Sequence, residues 1–257
     1  MERTGYRSFG YQWLLVSLLS LNFGIVYFDR NAFNFLMPFI QPELALSNTQ
    51  IGGLASALSL TWALAGLFTG RLSDALRKRK VILAVAAAIF SGASLLSGFA
   101  SSFAALLAAR LLMGAAEGGV MPISQAIVAG EVEPGRRGLA IGVAQNFGAN
   151  LLGNFLGPIV VVAVALAYGW RNAFYLAALP GLLSGLLILA LVREPPVEAS
   201  KALAGNAEPS IGAALRHRNV LVCVVLSVLL VSFAVVFSTF APLYLVKVRG
   251  MSQGVMS

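Results

Sequence analysis

Seven long apolar runs, separated by polar links, make up most of this chain. The first covers residues 13–40, and as a helix it would measure roughly 42 Å, more than the roughly 30 Å of hydrocarbon in a bilayer, so it must tilt, bend or protrude. Pro38 and Pro42 are expected to end it. Ser47-Asn-Thr-Gln50 has the Ser-x-x-Gln form of a capping box and predicts the start of a second helix over 51–70. A tight polar link rich in basic residues leads to a third span over 81–100, and only Ser101 and Ser102 separate that from a fourth over 103–129. Glu131 to Arg137 is polar, and a fifth span is predicted over 138–166. Tyr168-Gly-Trp170-Arg171 turns the chain into a sixth over 172–192. Residues 194–219, with prolines, alanines and mixed charge, form the longest polar segment and the expected domain boundary. A seventh span over 220–246 carries no formal charge.

Composition agrees with this pattern. Of the residues 58% are hydrophobic and 11% charged, against roughly 25% charged in a soluble domain, and the mean hydropathy is +0.84. The chain reads as an all-α integral membrane protein. Its net charge of +8 does not imply a nucleic-acid partner, because the basic residues lie in links between spans. Thirteen of the 18 lysines and arginines fall on one set of links, three on the other and two within spans. That bias predicts a multi-pass protein of the cell inner (plasma) membrane with its N-terminus in the cytoplasm. Arg3 and Arg7 precede the first run as in a signal peptide, but no small-residue cleavage pattern follows, so an uncleaved span is expected. With one cysteine, Cys223, there is no internal disulfide and no cysteine metal site; His217 lies in a basic link and is given no catalytic role. No metal, cofactor or enzyme chemistry is expected.

The charges inside the spans are the candidates for function. Tyr27-Phe28-Asp29-Arg30 places an acid and a base side by side in the first span, where each ionised group costs roughly 2.5 to 3.5 kcal/mol to insert. Arg110 and Glu117 lie seven apart in the fourth, which is two helical turns and therefore one face. The four charges sum to zero. Such groups mark a substrate or proton path, or else a structural cluster that pins two helices. In the fifth span Gly142, Asn146, Asn150 and Asn154 recur every four residues beside a row of Gln145, Ala149, Gly153 and Gly157. One row would pack against a helix and the other face a polar cavity, or both would be interhelical glue. Pro158, following Gly157, removes a backbone donor and should loosen the helix there.

These residues carry a family resemblance. Gly70-x-x-x-Asp74 followed by Arg77-Lys78-Arg79-Lys80 resembles the loop between the second and third helices of the major facilitator superfamily, and Gly153-x-x-x-Gly157-Pro158 resembles its fifth-helix motif. Tyr-Phe-Asp-Arg, Arg110-x-x-x-Gly114-x-x-Glu117 and Gly169-Trp-Arg-Asn-Ala-Phe-Tyr175 resemble, more narrowly, its anion:cation symporter family, which includes bacterial carriers of sugar acids such as D-galactonate. The resemblance implies a proton-coupled symporter of a small organic anion, a carboxylate or sugar acid. Asp29 and Glu117 would take up protons, Arg110 would hold these acids, and Arg30 would meet the substrate carboxylate. Tyr27, Trp62, Gln145 and Asn146 would line the substrate position, with Trp62 offering a ring N–H where the family has a phenol. Gly70, Asp74, Arg77, Lys78 and Arg79 would gate the conformational change, although Ala75 and Arg77 stand where the family has a basic residue and a glycine. Gly153, Gly157 and Pro158 would pack helices.

The superfamily fold has two six-helix halves, each of three plus three inverted repeats. Against it, residues 1–193 are expected to form the N-terminal six-helix bundle, 194–219 a cytoplasmic loop, and 220–257 the seventh helix that starts a truncated second half. The chain is thus expected to be an incomplete twelve-helix transporter that needs the missing half. A non-transporting membrane protein is the alternative.

Overall fold

The computed structural model describes residues 8–194 and 217–255, and of Arg71 and Asp74 the backbone alone. Most of the expected polar segment 194–219 therefore lies outside the described residues. Among the described residues, seven helical spans are long and apolar enough to cross a membrane: Phe9–Glu43, Asn48–Gly70, Arg79–Phe99, Phe103–Glu131, Pro134–Tyr168, Trp170–Leu191 and Arg218–Lys247. All seven expected spans are present, and their ends differ for local reasons. The first helix runs through Pro38 and Pro42 to Glu43 rather than ending at them. Each proline frees one carbonyl, which neighbouring helices tolerate inside a packed membrane bundle. The capping box forms as predicted, with Gln50 N–H donating to Ser47 Oγ at 3.1 Å and Ser47 N–H to Gln50 Oε1 at 2.9 Å. Beyond its apolar part the second helix continues to Leu76, so the link to the third contracts to Arg77 and Lys78. Arg77 caps it in the left-handed region at φ 52°. The fourth span is two helices, Phe103–Glu117 and Val120–Glu131, broken at Gly118 and Gly119.

The packing has an internal order. The first span packs on the fifth, the second on the fourth and the third on the sixth; the first also meets the sixth, and the third the fourth. Exchanging first with fourth, second with fifth and third with sixth maps these pairings onto themselves, as two inverted three-helix repeats require. The seventh span packs against the first and second and is largely exposed.

Glycine permits the closest approaches. A Cβ on Gly148 in the fifth span would overlap the Ser20 carbonyl of the first, and one on Gly114 in the fourth would overlap Thr61 and the Leu58 carbonyl of the second. Gly148→Ala should therefore force two backbones apart and cost about 1–3 kcal/mol, since overpacking a tight contact is not relieved by a side-chain rotation. Gly142→Ala, at a position with open space, should be neutral or slightly stabilising. Thermal unfolding of the two variants in detergent checks the difference; equal midpoints would show that the first and fifth spans do not meet at Gly148.

The fifth span departs most from a regular helix. Residues Val143–Phe147 and Ala149–Leu156 are π-helical, and α-helix resumes over Gly157–Tyr168. The loosening expected at Gly157-Pro158 thus lies on the N-terminal side of the proline. Pro158 has no N–H for the carbonyl four residues back, and its ring crowds that carbonyl, so the preceding turns widen to the i→i+5 register. Asparagine side chains bridge the widened turns on the exposed side of the helix. Asn146 donates to the Gly142 carbonyl at 3.1 Å, Asn150 to the Asn146 carbonyl at 2.9 Å and Asn154 to Asn150 Oδ1 at 3.0 Å. The other row packs, with Ala149, Gly153 and Gly157 buried and Gly153 set against Tyr27 of the first span.

Both ends of the bundle are pinned. Where the first span finishes, Glu43 accepts from Trp170 Nε1 at 2.6 Å and from Arg171, whose guanidinium lies 4.2 Å from the Trp170 ring centroid. Gly169, at φ 87°, makes the turn that brings both side chains there. At the opposite end the Arg193 N–H donates to the Tyr11 hydroxyl at 2.8 Å, and the Lys80 N–H to Glu194 at 3.0 Å.

Candidate functional site: a charged layer in the membrane

Two apolar clusters form the interior. One takes Leu15 to Val26 of the first span and the other Ala32 to Ile40. Asp29 and Arg30 lie at the seam between them. Asp29 is fully buried and accepts a hydrogen bond from Ser94 of the third span, whose hydroxyl also lies 3.2 Å from the Phe174 carbonyl of the sixth. The second Asp29 oxygen has no protein partner.

One residue further along, the helix has turned by about 100°, so Arg30 meets different neighbours. Its Nη2 donates to Glu117 Oε2 at 2.7 Å, and its guanidinium lies 5.4 and 5.6 Å from the ring centroids of Tyr27 and Trp62. Glu117 is buried, whereas the Arg30 side chain keeps 26% of its surface. The distances suit cation–π attraction, and they fix the guanidinium plane between two aromatic walls.

Arg110 is 1% exposed. Its Nη2 donates to Ser97 Oγ at 2.8 Å, and its guanidinium lies 4.6 Å from the Phe33 ring centroid and 5.8 Å from that of Phe174. Its Nε and Nη1 have no acceptor, and among the described residues it makes no ion pair. Arg30, expected to meet the substrate carboxylate, is here bonded to Glu117, and Arg110, expected to hold the acids, makes its hydrogen bond to the Ser97 hydroxyl.

Arg30 and Arg110 both line one cavity of about 290 Å³ between the first, second, fourth, fifth and seventh spans. Tyr27, Asn31, Asn34, Ser59, Asn154, Ser238 and Thr239 supply neutral hydrogen-bonding groups, and no carboxylate is among the lining residues. Asn31 is held in place by bonds to the Gly153 carbonyl at 2.9 Å and Asn154 Oδ1 at 2.8 Å. Trp62, Gln145 and Asn146, expected in the wall, are not among its residues: Trp62 lies against Arg30, the Gln145 amide nitrogen is buried without a partner, and Asn146 is exposed. Gly70, Arg77, Lys78 and Arg79 cluster at the end of the second and start of the third span, outside the cavity, and the Asp74 side chain lies outside the described residues.

Sequence reasoning missed the serines. Ser91, Ser94 and Ser97 are fully buried on one face of the third span, and two of them grip members of the charged layer. Their spacing of three in an apolar run was the available signal, since a hydroxyl buried among hydrocarbons needs a partner. The arrangement offers two guanidiniums facing a cavity, with Asp29 and Glu117 set behind its wall. Each carboxylate can be an anion that neutralises an arginine or, on protonation, can release it.

Comparison with known proteins places this geometry. The Major Facilitator Superfamily model matches residues 19–257. A hexuronate transporter of Bacillus subtilis is 35% identical over 91% of this chain and 56% of its own length. A probable sulfoacetate transporter of Cupriavidus necator is 30% identical over 74% of this chain and 44% of its own. The chain thus spans about half the length of the curated relatives it matches. Among solved structures, a bacterial homologue of the human lysosomal transporter Spinster, inward-facing and unoccupied, superposes over 96% of this chain and 58% of its own with a TM-score of 0.80 at 22% identity. The inward-open xylose transporter of Escherichia coli gives a TM-score of 0.59 at 19% identity, over 80% of this chain and 56% of its own. At such identities the superpositions bear on the fold alone. Sequence match, span order and internal symmetry together mean that this chain belongs to the Major Facilitator Superfamily.

Proposed function

We propose that this chain is the first half of a secondary carrier that moves a small organic anion together with protons across the cell's inner membrane, with its N-terminus on the cytoplasmic side. The carrying observation is the Arg30–Glu117 ion pair at 2.7 Å, made by an arginine of the cavity wall. With Glu117 ionised, Arg30 is occupied and an arriving anion gains little from it. Protonating Glu117 weakens that bond and frees the guanidinium for a carboxylate, which it can grip with two parallel hydrogen bonds. Asp29, beside Arg30 and behind the same wall, acts in the same sense on the local charge. The relatives named for hexuronate and sulfoacetate support an acidic substrate, since both names denote anions at neutral pH. Gly70, Asp74 and Arg77 to Arg79 are the proposed gating motif, and a second six-helix half is the proposed partner that closes the cavity.

Proton and anion binding are linked, so if protonation tightens the anion, the anion raises proton affinity by the same factor. The sign is fixed by the charges: two cations remain when both carboxylates are neutral. Anion affinity should rise as pH falls, by up to about tenfold per pH unit for each proton taken up. Calorimetric titration in lipid nanodiscs over a pH series measures this. An affinity independent of pH, with the fold intact, would remove Asp29 and Glu117 from the coupling role.

A further inference from the structure

We infer that the cavity is built for an anion with two acidic groups, one for each guanidinium, an inference that rests on the anion-carrier reading above. Arg30 comes from the first span and Arg110 from the fourth, yet both line the same cavity, and the rest of its wall is neutral. A guanidinium presents five N–H donors and no acceptor. Arg110 spends one nitrogen on Ser97 and leaves Nε and Nη1 buried without an acceptor; Arg30 spends one on Glu117 and leaves Nε in the same condition. Donors of a buried cation left unpaired are costly, and an anionic group of the substrate is what would satisfy them.

A substrate with one acidic group can serve only one of the two arginines. In the arrangement seen, Arg110 has no carboxylate hydrogen-bonded to it, so the first acidic group docks there. The second reaches Arg30 once Glu117 has taken a proton. Charge then balances without remainder: two protons on Asp29 and Glu117 uncover two positive charges, and a dianion cancels them. Tyr27, Asn31, Asn34 and Ser59 line the same cavity and offer hydrogen-bonding partners for the skeleton that joins the two ends. The part of the cavity that this chain forms, about 290 Å³, is of a size that suits a small molecule.

The test compares acids that share a skeleton and differ in the number of acidic groups. The full-length carrier in nanodiscs at mildly acid pH is titrated with galactarate, which has two carboxylates, with D-galacturonate, which has one, and with neutral D-galactose. Sulfoacetate against acetate repeats the comparison on two carbons. The diacid of at least one pair should bind about ten- to a hundredfold tighter than its monoacid, the range of one added charge-assisted hydrogen-bonded contact. Arg110→Gln, verified as folded by its unfolding transition, should bring the diacid down to the monoacid's affinity. Monoacids that bind as well as diacids in both pairs would overturn this inference and leave the anion-carrier reading standing. If neutral galactose binds as well as either acid, or no acid of either pair binds, the carrier reading falls with it.

Discussion

Glu117→Gln in the full-length carrier should bind its anion and exchange it across the membrane, yet fail to accumulate it against a gradient. The side chain is buried and bonded to Arg30 at 2.7 Å, so the amide keeps the shape and an oxygen for the guanidinium while losing the charge. It mimics the protonated acid permanently. Anion binding should therefore be retained and lose part of its pH dependence, but no proton is released on return. Each coupled proton can sustain about a tenfold accumulation per pH unit, about 1.4 kcal/mol, and that factor should vanish with the titrating group. Proteoliposomes loaded for counterflow and then energised by a pH step separate the two activities. Proton-driven accumulation equal to wild type would sink the assignment of Glu117, and loss of exchange as well would make it a structural residue instead.

Arg30→Lys should weaken anion binding by about thirty- to a hundredfold, roughly 2–3 kcal/mol, although the charge is kept. The guanidinium is flanked by the Tyr27 and Trp62 rings at 5.4 and 5.6 Å and bonded to Glu117 through one nitrogen, which leaves its remaining edge for a second planar acid. An ammonium is compact and cannot present two parallel donors. A lysine that binds the anion like wild type would mean that only a point charge is needed at this position. Because the change preserves net charge, a loss of affinity cannot be assigned to electrostatics at a distance.

The span architecture was legible because hydrophobic runs report burial in lipid directly. Ser47 and Gln50 announced the start of the second helix, and Asp29, Arg30, Arg110 and Glu117 stood out as charges inside apolar runs. Helix ends were less legible. Proline signals a stop in water, but in a packed membrane bundle Pro38 and Pro42 sit inside a helix that continues to Glu43. The π register of the fifth span was signalled only as a loosening at Gly157-Pro158, since sequence names the residue that lacks a donor but not which preceding turns absorb the defect. The pairing within the charged layer could not be read at all. Adjacent residues diverge by about 100° on a helix, so whether Glu117 meets Arg30 or Arg110 depends on how the first and fourth spans are rotated. That rotation is set by contacts such as Gly114 against the Leu58 carbonyl, which involve the second span.

The crossed pairing of spans has a consequence for synthesis. Most of the packing of the first span waits until the fifth and sixth have been made, because it packs chiefly on those and only lightly on the third and fourth. Between Glu43 and Leu191 lie roughly 150 residues, which a ribosome adds in about 7 to 30 seconds at about 5–20 residues per second. Over that interval the polar side chains of the finished helix are matched one at a time, Asp29 when Ser94 arrives, Arg30 with Glu117 and Asn22 only with Ser184. The nascent helix therefore depends on a chaperone in the insertion machinery, or on staying at the wet edge of the translocon, for longer than any local folding step takes. A delay in releasing the sixth span should lengthen the life of that vulnerable intermediate and expose it to membrane proteases.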